Sequence, residues 1–336
     1  MKEALFYEHN DDKSVTCFLC PHRCTIPESK RGICKVRENR DGKLYSLVYG
    51  KLISEGIDPI EKKPLYHFYP ASLSYSIATV GCNLRCSNCQ NYEISQMPKN
   101  KDLIHGEQTE PDDVVSSAKK YDCLSISYTY TEPTIFFEFA FDTSIIAHEK
   151  NIKNVFVTNG YITEEALVKI SPFLDGANID LKSMSDKFYK ENCGAELQHV
   201  LDSIKLYNRL GIWIEITTLI IPTKNDSEKE LNEIAKFISE VGREIPWHVS
   251  QFYPTYKMND LPRTPTETLK KARTIGYNAG LKYVYTGNIP GDEGESTYCY
   301  NCGEILIKRY GFQLATNKIK NGKCFRCNTK IDGAGL

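Results

Sequence analysis

From about residue 75 the chain sets short apolar or β-branched runs against amphipathic stretches in regular alternation. The runs are "SYSIATVG", "CLSISYTY", "NVFVTNG", "GANIDLKS", "IWIEITTLIIP", "WHVSQFYPT" and "KYVYTGN". Between them lie helical stretches such as "PDDVVSSAKKYD", "ELQHVLDSIKLYNRLG" and "SEKELNEIAKFISEVG". Asp, Thr or Ser precedes several of these helices and Gly follows several, as caps do. Strands that alternate with helices at this spacing imply a parallel sheet with helical crossovers. The pattern predicts an α/β fold, a full or partial (β/α)6 barrel of the TIM type, with its chemistry at the C-terminal ends of the strands. A doubly wound sheet is the alternative. Residues 1–75 and 293–336 depart from the rhythm. They read as cysteine-rich, metal-binding extensions around a barrel domain at 76–292. In the first of them "KLYSLVYGKL" suits a strand, and the rest reads as loops.

The 336 residues are 41% apolar and 25% charged, with a formal net charge of −1. Such a chain can bury a sizeable core. It lacks the basic excess of a broad nucleic-acid-binding surface, which argues against RNA as a partner. No apolar run approaches the roughly 20 residues of a membrane span. The opening "MKEALFYEHNDDKS" has no apolar signal core, so a cytoplasmic protein is expected. In that compartment the 13 cysteines point to metal or to chemistry rather than to disulfides. Cys123 and Cys193 stand alone and read as small buried hydrophobes. The others form three groups.

The central group, "GCNLRCSNCQN", carries Cys82, Cys86 and Cys89 on the loop leaving the first strand of the rhythm. A [4Fe–4S] cube normally takes four thiolates. Three thiolates leave one iron open for another ligand, as an open position marks a catalytic metal site. The spacing C-x3-C-x2-C after the first strand of a βα barrel resembles the radical S-adenosylmethionine (SAM) enzymes. The resemblance implies that Cys82, Cys86 and Cys89 hold a catalytic [4Fe–4S] cluster whose open iron chelates SAM. Reductive cleavage of SAM then gives a 5′-deoxyadenosyl radical, which takes a hydrogen atom from substrate. It also implies a one-electron donor such as flavodoxin or ferredoxin. One departure is Asn88, which stands where the family has an aromatic residue near adenine; Tyr92 is a candidate substitute.

Other stretches refine the resemblance. "YTYTEP" occupies the place of the family's Gly-Gly-Glu-Pro, which implies Glu132 as partner of the SAM ammonium with Thr131 shaping the turn; Tyr130 and Thr131 replace the glycines. "VTNGY" offers Asn159. "NIDLKS" places Asp180 and Lys182 two apart on one strand face, similar to the activating enzymes of glycyl-radical enzymes, typified by pyruvate formate-lyase activating enzyme. There such a pair contacts SAM or the substrate peptide. Glu215 is a candidate for ribose or substrate, Gln251 a weaker cofactor candidate, and His248 a lower-ranked one. With the flanking "CFLCPHRCTI" and "DPIEKKPLYHFYP", the whole resembles the AmmeMemoRadiSam-type radical SAM enzymes. The likeness to activating enzymes implies a protein substrate, with abstraction from a backbone glycine, while the AmmeMemoRadiSam type leaves the substrate open. A small molecule, a peptide or a tRNA is the alternative.

The outer groups are Cys17, Cys20, Cys24 and Cys34, spaced C-x2-C-x3-C-x9-C, and the tail knuckles Cys299/Cys302 and Cys324/Cys327, with 21 residues between the knuckles. The tail pattern reads as a zinc ribbon. The front group suits zinc first and an auxiliary iron–sulfur cluster second, because activating enzymes that carry auxiliary clusters place them after the three-cysteine motif. Seven basic residues between 299 and 330 face only Glu304 and read as a solvated face.

Overall fold

The computed structural model describes residues 1–336. Its centre is one eight-stranded sheet. Strand β1 (Ser54–Pro59) lies antiparallel on β2 (Leu73–Ala78). Beyond β2 follow β3 (Ser125–Tyr128), β4 (Lys153–Thr158), β5 (Gly176–Asp180), β6 (Trp213–Ile220), β7 (Trp247–Gln251) and β8 (Val284–Gly287). Each of these is parallel to its predecessor and beside it. The crossovers carry α1 (Pro111–Lys120), α2 (Phe137–Glu149), α3 (Glu164–Ile170), α4 (Leu197–Arg209), α5 (Glu228–Val241) and α6 (Thr266–Asn278). Sequential order with one helix per crossover is barrel winding, not the strand reversal of a doubly wound sheet. β1 and β8 are not paired with each other, so the barrel is partial.

The strands are buried on both faces, as parallel strands under helices are; β3 is buried along its whole length. In α5, Leu231, Ile234, Ala235 and Ile238 face the core at helical spacing, and the Ser227 hydroxyl caps the first turn by accepting from Glu230 N.

The sequence pattern left 53–71 as loops, and the structure uses this segment twice. It supplies β1, then a strap that floors the barrel at the N-terminal ends of the strands. Phe68 packs on Gly176, where a Cβ would stand 3.0 Å from its ring. Asn178 Nδ2 donates to Pro64 O at 2.8 Å. Residues 1–48 do not pack as a separate body. Val15, Leu19, Ile26, Val36 and Leu44 join the barrel's own core, and buried Arg37 pairs with Glu138 of α2 at 2.6 Å. The tail forms a smaller core in which Leu306, Ile307 and Ile331 pack on Tyr66, Tyr283 and Tyr285. No helix is long and apolar enough to cross a membrane.

Candidate active site

The loop after β2 carries the three-cysteine clip. Gly81 turns it with φ +105°, and a Cβ there would stand 2.7 Å from Val36 Cγ1, so both conformation and space require glycine. Gly81 N donates to Ile94 O at 3.0 Å. The clip is then pinned to the turn after residue 188: Arg85 N donates to Cys193 O at 2.8 Å, and Ser87 N to Asn192 O at 3.0 Å.

Each of the three sulfurs has polar neighbours. Cys82 Sγ accepts from Leu84 N at 3.3 Å and from Asn159 Nδ2 at 3.7 Å. Cys89 Sγ lies 3.2 Å from Ser95 Oγ. Cys86 lies beside the Cys193 thiol, which, with burial, pushes Cys86 up. Burial, with the Glu132 carboxylate nearby, pushes Cys82 up, and burial does the same to Cys89. Buried thiols of this kind become thiolates only beside a cation, and a bound metal deprotonates them outright. Three converging cysteines with N–H and O–H donors on their sulfurs therefore fit an iron–sulfur cluster held by Cys82, Cys86 and Cys89.

The other expected residues that follow strands lie at the C-terminal ends, and Glu215 and His248 do not. Asn159 follows β4; its Nδ2 also donates to Asn83 Oδ1 at 2.8 Å. Asp180 and Lys182 end β5 as an ion pair at 2.6 Å. Burial works against the Lys182 charge, but Asp180 and the sulfurs of Cys86 and Cys193 outweigh it and hold its pKa well above the usual lysine range. Thr131 Oγ1 donates to Thr79 O at 2.8 Å, joining the ends of β2 and β3. Tyr130 sits at φ +61°, a conformation that glycine takes freely. Its ring lies under the Lys63 ammonium, and its hydroxyl is bonded to Asp58.

Glu132 differs from expectation. Its carboxylate is fully buried and accepts from Thr134 N, Thr134 Oγ1, Thr158 Oγ1 and Asn159 N at 2.7–3.0 Å. Burial raises its pKa against the pull of these donors. It presents no open face to an ammonium and acts instead as the anchor of the Asn159 loop.

Glu215 lies elsewhere, with His248. It is the third residue of β6, at the floor, away from the clip. Its oxygens accept from Tyr66 N at 2.9 Å, His67 N at 2.7 Å and Trp213 Nε1 at 3.2 Å, and His248 Nε2 lies 2.6 Å away. Glu215 and His248 thus hold the strap, and the ribose or substrate role is withdrawn. Gln251 ends β7 at the correct rim, but its Nε2 donates to Thr264 O at 2.6 Å and closes the base of the following loop. Asn88 is buried, bonded to Asn192. Tyr92 stacks on Tyr256 with centroids 4.5 Å apart and planes 13° apart.

Three participants were not legible in the sequence. Cys193 is no inert hydrophobe but a neighbour of Cys86. Asn192 braces the clip, and Tyr256 comes from a loop more than 160 residues downstream. Their approach depends on turns whose direction no residue pattern reports.

The tail cysteines converge most tightly. Cys299 Sγ lies 3.6 Å from Cys327 Sγ and Cys302 Sγ 3.7 Å from Cys324 Sγ, with all four sulfurs within 4.8 Å of one another. This arrangement could hold one metal ion.

Comparison with known proteins agrees with this geometry. Residues 76–238 match the model of the radical SAM superfamily. An uncharacterized protein of Methanocaldococcus jannaschii is 50% identical over 99% of both chains. The pyruvate formate-lyase-activating enzyme of Clostridium pasteurianum is 24% identical over 57% of this chain and 84% of its own. Among solved structures, a radical SAM methyltransferase from Sphaerobacter thermophilus shares the fold, with TM-score 0.51 at 14% identity, covering 68% of this chain and 71% of that one. With the three-cysteine clip at the rim of a partial barrel, the chain belongs to the radical SAM superfamily and is an enzyme of that kind.

Proposed function

We propose that this enzyme activates a partner protein by removing a hydrogen atom from a backbone glycine. The observation that supports this most is the Asp180–Lys182 ion pair beside Cys86, in a chain similar to an enzyme named for activating pyruvate formate-lyase. With SAM bound, the [4Fe–4S] cluster supplies one-electron cleavage to a 5′-deoxyadenosyl radical. The chain's own residues hold and shield that chemistry. Cys82, Cys86 and Cys89 ligate the cluster. Lys182 keeps a positive charge at the Cys86 side, suited to the SAM carboxylate. Asn159 orients Cys82. The Tyr92–Tyr256 stack offers an aromatic face for adenine at the position Asn88 leaves without one.

A glycyl target suits the chemistry, because its α-radical is delocalised over both flanking amides and no side chain blocks approach. The reading includes a flavodoxin- or ferredoxin-type electron donor, a cytoplasmic setting, and one zinc ion on Cys299, Cys302, Cys324 and Cys327.

The test is anaerobic turnover with SAM, reductant and a glycyl-radical enzyme of the same organism. Wild type should form 5′-deoxyadenosine and raise a glycyl-radical resonance on the partner. Lys182→Met should keep its iron and lose most turnover, and Cys82→Ala should lose both. Formation of 5′-deoxyadenosine with no radical on any glycyl-radical partner would move the reading to a small molecule, a peptide or a tRNA. No 5′-deoxyadenosine from iron-replete wild type would overturn it.

A further inference from the structure

We propose that Cys17, Cys20, Cys24 and Cys34 hold a second four-iron iron–sulfur cluster, built against the wall of the clip, rather than zinc. This does not rest on the substrate reading above.

The four cysteines come from two tight turns. Cys17 N donates to Cys24 O at 2.9 Å, closing the first, and Gly32 N to Arg37 O at 3.0 Å, closing the second. All four line one cavity, whose other walls are mainly apolar, including Leu19, Ile26 and Ile135. The molecule supplies its own comparison. A single tetrahedral zinc with Zn–S of about 2.3 Å sets its sulfurs about 3.8 Å apart, and the tail cysteines stand at that spacing. Of the three cysteine groups, only the tail draws its sulfurs within 4.8 Å of one another. The front four line one cavity without closing on one another, and a polynuclear cluster bridges such a spacing where one ion would not.

A second observation points to a ligand there. Arg37 lines the cavity and is 2% exposed. Its Nη2 is taken by both oxygens of Glu138 at 2.6 and 2.7 Å, and its Nη1 reaches Leu5 O at 3.4 Å. Its Nε has no partner. Buried N–H groups are almost always satisfied. Inorganic sulfide or a cluster thiolate is an acceptor of the right kind, whereas an apolar occupant would leave Nε orphaned.

The cavity also shares a wall with the clip. His22 lines it, and a ring nitrogen of His22 lies 2.9 Å from the carbonyl oxygen of Asn83, the residue after Cys82. Cys34 O lies 3.5 Å from where a Cβ on Gly81 would stand. A cluster here would therefore be the neighbour of the catalytic one, not a remote staple.

The experiment uses the full-length chain, purified without oxygen, with iron, zinc and acid-labile sulfide measured and electron paramagnetic resonance recorded after reduction. Wild type should hold about eight iron and eight sulfide per chain. The variant Cys82→Ala/Cys86→Ala/Cys89→Ala should keep about four of each and a reduced-cluster resonance. Adding Cys20→Ser and Cys24→Ser to that variant should remove the remaining iron and leave zinc unchanged at about one. Two zinc ions and no iron in the clip-less variant would overturn the proposal, as would an iron-free protein with zinc only in the tail. Should the five-fold variant not fold, the iron count of the clip-less variant decides alone.

Discussion

Asn159 is the side chain on which the position of Cys82 depends, and Glu132 is what holds Asn159. Thr134, Thr158 and the Asn159 amide all end on that one buried carboxylate. Glu132→Ala should therefore leave several buried donors without an acceptor, a loss of about 3 kcal/mol of stability in anaerobic urea unfolding. The same variant should hold less clip iron, because Asn159 would no longer face Cys82 Sγ. A change below about 0.5 kcal/mol, within the usual range for an innocuous substitution, would show that the loop is held by other means. Both residues could be picked from the sequence because they follow strands, where barrel chemistry gathers. Their roles could not. Strand periodicity says which face a residue takes, not whether a carboxylate there meets a ligand or its own loop. Cys193 was less legible still, since its approach to Cys86 is set by the fold of 185–195 and not by any spacing.

Among elements, the strands were the most legible and the returns between them the least. Every parallel strand of the sheet coincides with a run marked by its apolar and β-branched residues, β2 and β4 each starting one residue earlier, because burial on both faces leaves a continuous signal. The loop between β7 and α6 has no such signal, yet it reaches the clip. Its base is closed by Thr264, whose hydroxyl accepts from Phe252 N and donates to Ile220 O. Its tip docks through Tyr256 on Tyr92 and through Lys257 N to Ser87 O at 3.0 Å. Base and tip should separate on mutation. Tyr256→Ala removes a stack worth about 1 kcal/mol, which should cut hydrogen-exchange protection of the Lys257 amide about fivefold. Protection of β7 and the global stability should stay as they are. Unchanged exchange at Lys257 would mean that the backbone bond alone docks the tip. Cover of this sort is what a radical enzyme needs over its reacting atoms, so in the variant a larger share of the SAM that is cleaved should go uncoupled from substrate.

At the scale of the whole molecule the floor joins what the sequence pattern kept apart: strap, barrel and tail. His67 is its centre. Its Nδ1 donates to Asp332 O at 2.7 Å, and its Nε2 accepts from the Tyr285 hydroxyl, which lies 2.8 Å from the Thr297 hydroxyl, itself an acceptor for Arg309 Nη1. This chain has room for a neutral imidazole only. Burial lowers the His67 pKa to about 4, with Glu215 opposing and Arg309 and His248 adding to the effect. The unfolded chain binds this proton near pH 6.5, so between about pH 4 and 6.5 it is the unfolded state that holds more protons, and stability rises with pH there. The His67 share is about 3 kcal/mol. Unfolding midpoints measured across that range should climb in wild type and climb less in His67→Gln; equal slopes would remove His67 from the account. His22, lowered by burial as well, acts in the same direction, while Glu132 and Glu61, raised by burial, act against it. The same floor would tie a metal held by the tail cysteines to barrel stability. Cys299 and Cys324 belong to the small core around Tyr66, Tyr283 and Tyr285. Arg309 is buried against Tyr66 O at 2.9 Å and lies 3.8 Å from Glu61. Beyond Cys327 the chain runs to Ala334, which pairs with the strap. Cys302→Ser/Cys327→Ser should release any ion held by the tail without exposing the clip to a chelator. Undocking Arg309 leaves Glu61 as an unpaired buried charge, a cost of about 3 kcal/mol. At roughly 2 °C per kcal/mol for a chain of this size, calorimetry should place the midpoint about 6 °C lower. Iron content at 20 °C should be unchanged, because the clip lies at the opposite end of the strands. A variant with no metal in the tail that melts with wild type would show that the tail docks by its apolar core alone.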